Sequence, residues 1–211
     1  MNELAMTPAR ANGIPANVIV AASALAVAIL VLAVLVVVPL GPLGGMMLMH
    51  VTTMSVLAPA VAVMLHRPSR VGRIWPVALG QLALLWAAHL PTSSAAMAAP
   101  GHSVAVNVVM FAVAVQFWRA LMSQQGDFLA PILALVVTAK LACLLGALLV
   151  FAPRPLYVFG GDTQGALSDQ QVAGLVMLAA CPLSYVVVAV GFAARAIGDA
   201  GSPSAPDATR L

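Results

Sequence analysis

Histidine and methionine are the side chains of this chain whose spacing could do chemistry. His50 sits among Met46, Met47, Met49 and Met54. Met46 and Met54 each lie four residues from His50, so on a helix the three share a face. His89 and His102 fall at the ends of later apolar runs, with Met97 between them. Neutral imidazole is the commonest metal ligand. Imidazole with thioether is a soft, mixed set that suits copper, above all Cu(I), better than magnesium or calcium. The expected metal set is therefore His50, His89 and His102 with Met46. Taken singly, a methionine is more often a filler of apolar helices, and a histidine as often bonds a neighbouring helix. The copper expectation rests on their convergence. His66, beside Arg67 at the opposite end of its run, reads as an interfacial residue.

Other chemistries lack their residues. The acids are Glu3, Asp127, Asp162, Asp169, Asp199 and Asp207, all outside the apolar runs, so no paired-carboxylate acid–base site is expected. There is no G-x-S-x-G elbow, no P-loop and no H-E-x-x-H. An enzyme is not expected. Cys143 and Cys181 lie inside apolar runs and read as small buried hydrophobes. The net charge of +3 is scattered, with no basic stripe for nucleic acid. Lys140, the only lysine, falls in the middle of an apolar run. Its readings are a hydrogen-bond node inside the bundle, near Gln81, Asn107, Gln116 or Tyr185, or a contact with a partner or proton path.

The elements that must position these residues follow from composition. Hydrophobic residues make up 63% of the 211 and charged residues only 7%. A soluble domain carries about 25% charged residues, so bilayer solvent is the direct explanation. Apolar runs cover about 17–40, 46–65, 74–90, 104–121, 128–151 and 171–197. A helix needs about 20 residues to cross the hydrocarbon. The expected fold is all-α, an integral membrane bundle of about six transmembrane helices. Residues 1–16 and 198–211 read as flexible tails. The first run is longer than a signal-peptide h-region of about 7–15 residues, so it reads as a retained span.

Orientation follows from the arginines. Arg10, Arg67, Arg70, Arg73, Arg119 and Arg195 fall on one side and Arg154 on the other. The positive-inside rule then puts both termini in the cytoplasm. His50, His89 and His102 come to the opposite, outer side. Trp75 and Trp118 fall near the inner interface and Trp86 near the outer one. The last span carries its own start signal: Ser168 and Gln171 fit an S-x-x-Q capping box, with Asp169 in the first turn.

Three stretches carry a family resemblance. The first is Met49-His50-Val51-Thr52-Thr53-Met54-Ser55-Val56-Leu57-Ala58-Pro59. The second is Leu85-Trp86-Ala87-Ala88-His89-Leu90-Pro91. The third runs from Leu145-Gly146-Ala147-Leu148 through Phe151-Ala152-Pro153-Arg154-Pro155-Leu156-Tyr157 to Asp169-Gln170-Gln171-Val172-Ala173-Gly174-Leu175-Val176-Met177. Over about 46–197 the chain resembles the multi-spanning CtaG-type assembly factors of haem–copper cytochrome c oxidase, which are distinct from the single-span copper chaperone sharing that name. It departs from them where Met46 stands in place of a second histidine, and where the run 104–121 lacks an E-H pair. The resemblance implies a bacterial inner-membrane protein that helps mature the oxidase, with oxidase subunits as partners and copper insertion at the outer face. Two other readings stay open: a metal-free scaffold or accessory subunit of an oxidase complex, and a b-type cytochrome with haem between His50 and His89.

Overall fold

The computed structural model describes residues 16–38, 40–65, 73–90, 100–124, 128–157 and 163–201; the side chains of a few of these, His102 among them, lie outside the description. The described residues form six helices and no strand: α1 (Ala16–Val37), α2 (Pro42–Met64), α3 (Ile74–Ala88), α4 (Pro100–Met122), α5 (Leu129–Phe151) and α6 (Thr163–Gly201). Four stretches are long and apolar enough to cross a membrane: Pro42–Met64, Val104–Met122, Leu129–Phe151 and Thr163–Gly198. The all-helical expectation is met, and these four helices are consistent with a membrane protein. With 15 residues, α3 is about 22 Å long at 1.5 Å per residue.

The most extensive helix pairing is that of α5 with α6. A Cβ on Gly174 would meet the Gly146 carbonyl oxygen at 2.6 Å, and one on Gly146 would meet the Gly174 carbonyl oxygen at 3.1 Å. Two helices this close need glycine at the crossing, as in other small-residue membrane interfaces. Helix α2 packs on α6, α3 lies against α4 and α5, the second half of α2 lies against α4, and α1 packs on α2.

Two helix starts differ from the sequence expectation, and one residue explains both. Asp169 was expected in the first turn of the last helix, but that helix already begins at Thr163. Ser168 lies inside it and its hydroxyl donates to the Gly165 carbonyl at 2.9 Å, so the capping box does not form. The Asp169 carboxylate instead reaches across to α2. Oδ2 accepts the Leu43 N–H at 2.8 Å and Oδ1 the Gly44 N–H at 2.9 Å. Pro42 supplies the preset first helical residue, and the carboxylate serves donors that have no partner within the helix. Residues 42–45 are therefore helical. A Cβ on Gly41 would overlap the Asp169 carboxyl group, so glycine there admits the cap.

Gln170 anchors the link between α5 and α6. It is fully buried. Its Oε1 accepts the Leu156 N–H at 2.6 Å and its Nε2 donates to the Leu149 carbonyl at 3.1 Å.

Helix α2 changes pitch in its middle. Thr53–Leu57 is π-helical, and the Ala58 N–H bonds the Thr53 carbonyl five residues back. In that register residue 59 would serve Met54, but it is proline and has no N–H. The Trp118 indole Nε1–H donates to the Met54 carbonyl instead, at 2.9 Å. Trp118 is buried within the bundle, at 3% exposure. The orphaned carbonyl draws it inward.

Lys140 is also placed differently. It does not join Gln81 and Tyr185, whose side chains bond each other at 2.9 Å. It is exposed, on the outside of α5. A lysine at mid-membrane costs about 2.5–3.5 kcal/mol on insertion scales.

Candidate functional site

His50 is the ninth residue of α2, about 12 Å along the helix from Pro42 at 1.5 Å per residue. His89 is the C-cap of α3. Their rings are 5.7 Å apart between centroids, at 63°. The sequence brings these two together correctly, but not at an open face: they are 4% and 5% exposed. The side chain of His102 lies outside the described residues, as do His66 and Met97.

The end of α3 fixes the state of His89. The last turn tightens, with His89 N–H bonding the Trp86 carbonyl at 3.1 Å and Leu90 N–H the Ala87 carbonyl at 3.3 Å. This frees the Leu85 carbonyl, which lies 2.6 Å from His89 Nδ1. A carbonyl can only accept, so Nδ1 carries the proton. In the neutral ring Nε2 is then an unprotonated lone pair, and it has no hydrogen-bond partner. An imidazole held by its N–H on a backbone carbonyl, with the other nitrogen free, is the arrangement metal-ligating histidines adopt. The Tyr157 hydroxyl holds the same residue from the other side by donating to the His89 carbonyl.

His50 has no such anchor. The Met46 carbonyl stands one turn back and favours a ring N–H, but the pair falls short of hydrogen-bond geometry, and both ring nitrogens are unpartnered.

Both histidines line a cavity of about 20 Å³, together with Met47, Met54, Ser55, Gln81, Thr138, Met177 and Cys181 among others. The unpartnered buried side-chain atoms among the described residues belong to His50, Ser55, Gln81, His89 and Thr138. All five residues line this cavity. A buried polar group left without a partner costs about 1–3 kcal/mol, so their convergence marks a place for a bound species rather than inert packing.

The donor set can be tested against a copper ion. Two imidazoles sharing one ion at about 2.0 Å per bond have centroids at most about 6.3 Å apart; the observed 5.7 Å fits. Among the described residues no three His, Cys, Asp or Glu side chains come together. Beyond the histidines, the sulfur donors at the cavity are the Met47, Met54 and Met177 thioethers and the Cys181 thiol, and soft sulfur with imidazole favours Cu(I). Met46 is not among the lining residues; it is half-buried and packs against the core. Met47, buried at 1% exposure, takes the position at the cavity that was expected of Met46. Met177 and Cys181 on α6 were not foreseen as cavity residues. They could be found only by knowing which face of α6 meets α2. Cys143 and Cys181 are both free.

Comparisons with protein-family models, with curated proteins and with solved structures give no match.

Proposed function

We propose that this protein is a non-enzymatic assembly factor for haem–copper cytochrome c oxidase that holds one Cu(I) inside a transmembrane bundle. The observation that carries the reading is the His89 tautomer: Nδ1–H on the Leu85 carbonyl, with an unpartnered Nε2 5.7 Å ring-to-ring from a second buried histidine. His50 and His89 would hold the ion, with a thioether from Met47, Met54 or Met177. His102 remains a further donor by its place at the start of α4. Copper supplies no reaction here. The chain's own part is to bind, shield and release it.

In this reading the chain has six spans, including α1 and α3, in a bacterial inner membrane. Both termini are cytoplasmic, supported by the arginine asymmetry. The starts of α2, α4 and α6 then face outward, and the site lies below the outer surface. The oxidase role rests on the sequence resemblance over 46–197, and oxidase subunits are the partners it implies. A porphyrin is many times larger than a cavity of about 20 Å³, which disfavours haem.

A second reading is a metal-free scaffold for an oxidase intermediate. It is favoured by the cavity's size, near that of one water molecule, and by the Ser55 and Thr138 hydroxyls that could hold one.

Cells carrying His50→Ala with His89→Ala decide between them. Copper delivery predicts that oxidase subunits are made but lack copper, and that added copper partly restores activity. A scaffold predicts normal copper content in whatever oxidase assembles.

A further inference from the structure

We infer that the exposed face of α5 is a docking surface for a transmembrane helix of another protein, one that carries a carboxylate near the bilayer midplane and pairs with Lys140. Helix α5 turns its inner side to α6 and α3. Its other side is a continuous exposed row: Leu133, Val136, Lys140, Leu144 and Leu148. Spacings of three and four residues keep that row on one face. It is apolar except at its centre.

Lys140 is the twelfth of 23 residues, about 16 Å from either end of the helix at 1.5 Å per residue. A lysine stem reaches only about 6 Å, so the ammonium cannot snorkel to a headgroup as lysines near helix ends do. No hydrogen bond or ion pair holds it among the described residues. Intramembrane charges are characteristically paired, and Lys140 needs an anion at its own depth.

The chain cannot supply one to itself or to a second copy. Its acids are Glu3, Asp127, Asp162, Asp169, Asp199 and Asp207, none within the middle of a span. Asp169 is already engaged by Leu43 and Gly44. A lipid phosphate lies at the wrong depth. The remaining occupant is a foreign transmembrane helix with Asp or Glu at its centre. The apolar row would pack along it, and the ion pair would set partner and register. This inference uses no metal and stands apart from the copper site.

The test places a photo-crosslinking residue at Leu144, one turn from Lys140, in the full-length protein in its native membrane. A second probe at Val108, exposed on α4, serves as the control face. A discrete protein adduct is expected at Leu144 and not at Val108. Lys140→Met should reduce it at least about thirtyfold, as removal of one partner of a desolvated charge pair does, and Lys140→Arg should keep it. Lys140→Gln gives the same readout if the Met variant does not accumulate. The captured protein should carry a midspan Asp or Glu. Exchanging the charges, Lys140→Glu here and acid→Lys there, should restore the adduct. Four results would each overturn the inference: lipid adducts alone, a second copy of this chain, an adduct that survives Lys140→Met, or a partner without a midspan acid.

Discussion

The Tyr157 hydroxyl donates to the main-chain carbonyl of His89. That bond ties the link after α5 to the C-cap of α3, and so couples two segments far apart in the chain to one imidazole. Tyr157→Phe removes the donor and keeps the ring. We expect a stability loss of about 1 kcal/mol and a weaker, not abolished, affinity for Cu(I), read by competition against a chelator of known affinity.

The same tyrosine gives a pH signature. Burial holds the Tyr157 phenol above its usual value, which is about 10 in an unfolded chain. The folded state keeps its proton longer than the unfolded state. Its contribution to stability is therefore complete below about pH 10 and is lost as pH rises through the folded value. Thermal unfolding of wild type and Tyr157→Phe should converge over that alkaline window. A constant difference from pH 8 to 12 would contradict this account of the bond.

Asp169 makes a second prediction. Its carboxylate serves two N–H groups at the start of α2, and loss of a cap of this kind costs about 1–2 kcal/mol. Asp169→Ala should show that loss. Gly41→Ala should cost more, because its methyl would overlap the carboxyl group. In the double variant the two costs should not add; additivity would mean that Gly41 is constrained by something else.

The π-helical turn yields a third. Trp118→Phe should destabilise by about 1–2 kcal/mol through the lost bond to the Met54 carbonyl. With Pro59→Ala the backbone regains an N–H, and the cost of Trp118→Phe should shrink. An unchanged cost would show that Trp118 matters through packing on Tyr185, 5.4 Å away between ring centroids, and not through its indole N–H.

The apolar runs announced the helices because bilayer solvent demands long uninterrupted apolar stretches: 128–151 matches α5 almost residue for residue. The pairing of His50 with His89 was legible too, since the start of the run 46–65 and the end of the run 74–90 fall on the same side of the bundle. What was not legible is how faces turn. Met46 and Met47 differ by one residue, and on a helix that is a rotation of about 100°; only the packing of α2 on α6 decides which meets the cavity. The two readings of Lys140, an interior node or a contact with a partner or proton path, could not be separated because its run is apolar on all sides and hydropathy carries no facing information. Asp169 and Ser168 looked like a local start signal, but the carboxylate found its donors on another helix. The third stretch of the family resemblance holds Gly146, Tyr157, Asp169, Gln170 and Gly174. In the structure these residues close helices together, cap α2 and tie down the link beside His89. They build the frame of the site rather than its donors.

The central claim is a buried Cu(I) held by two histidines and a thioether. Copper K-edge X-ray absorption of the purified full-length protein, loaded with one equivalent of Cu(I) under reducing conditions, tests it most directly. We predict about two nitrogen scatterers near 2.0 Å with at least one sulfur, and loss of the nitrogen shell in the His50→Ala, His89→Ala double variant. Failure to retain copper, or an unchanged first shell in the double variant, would contradict the claim.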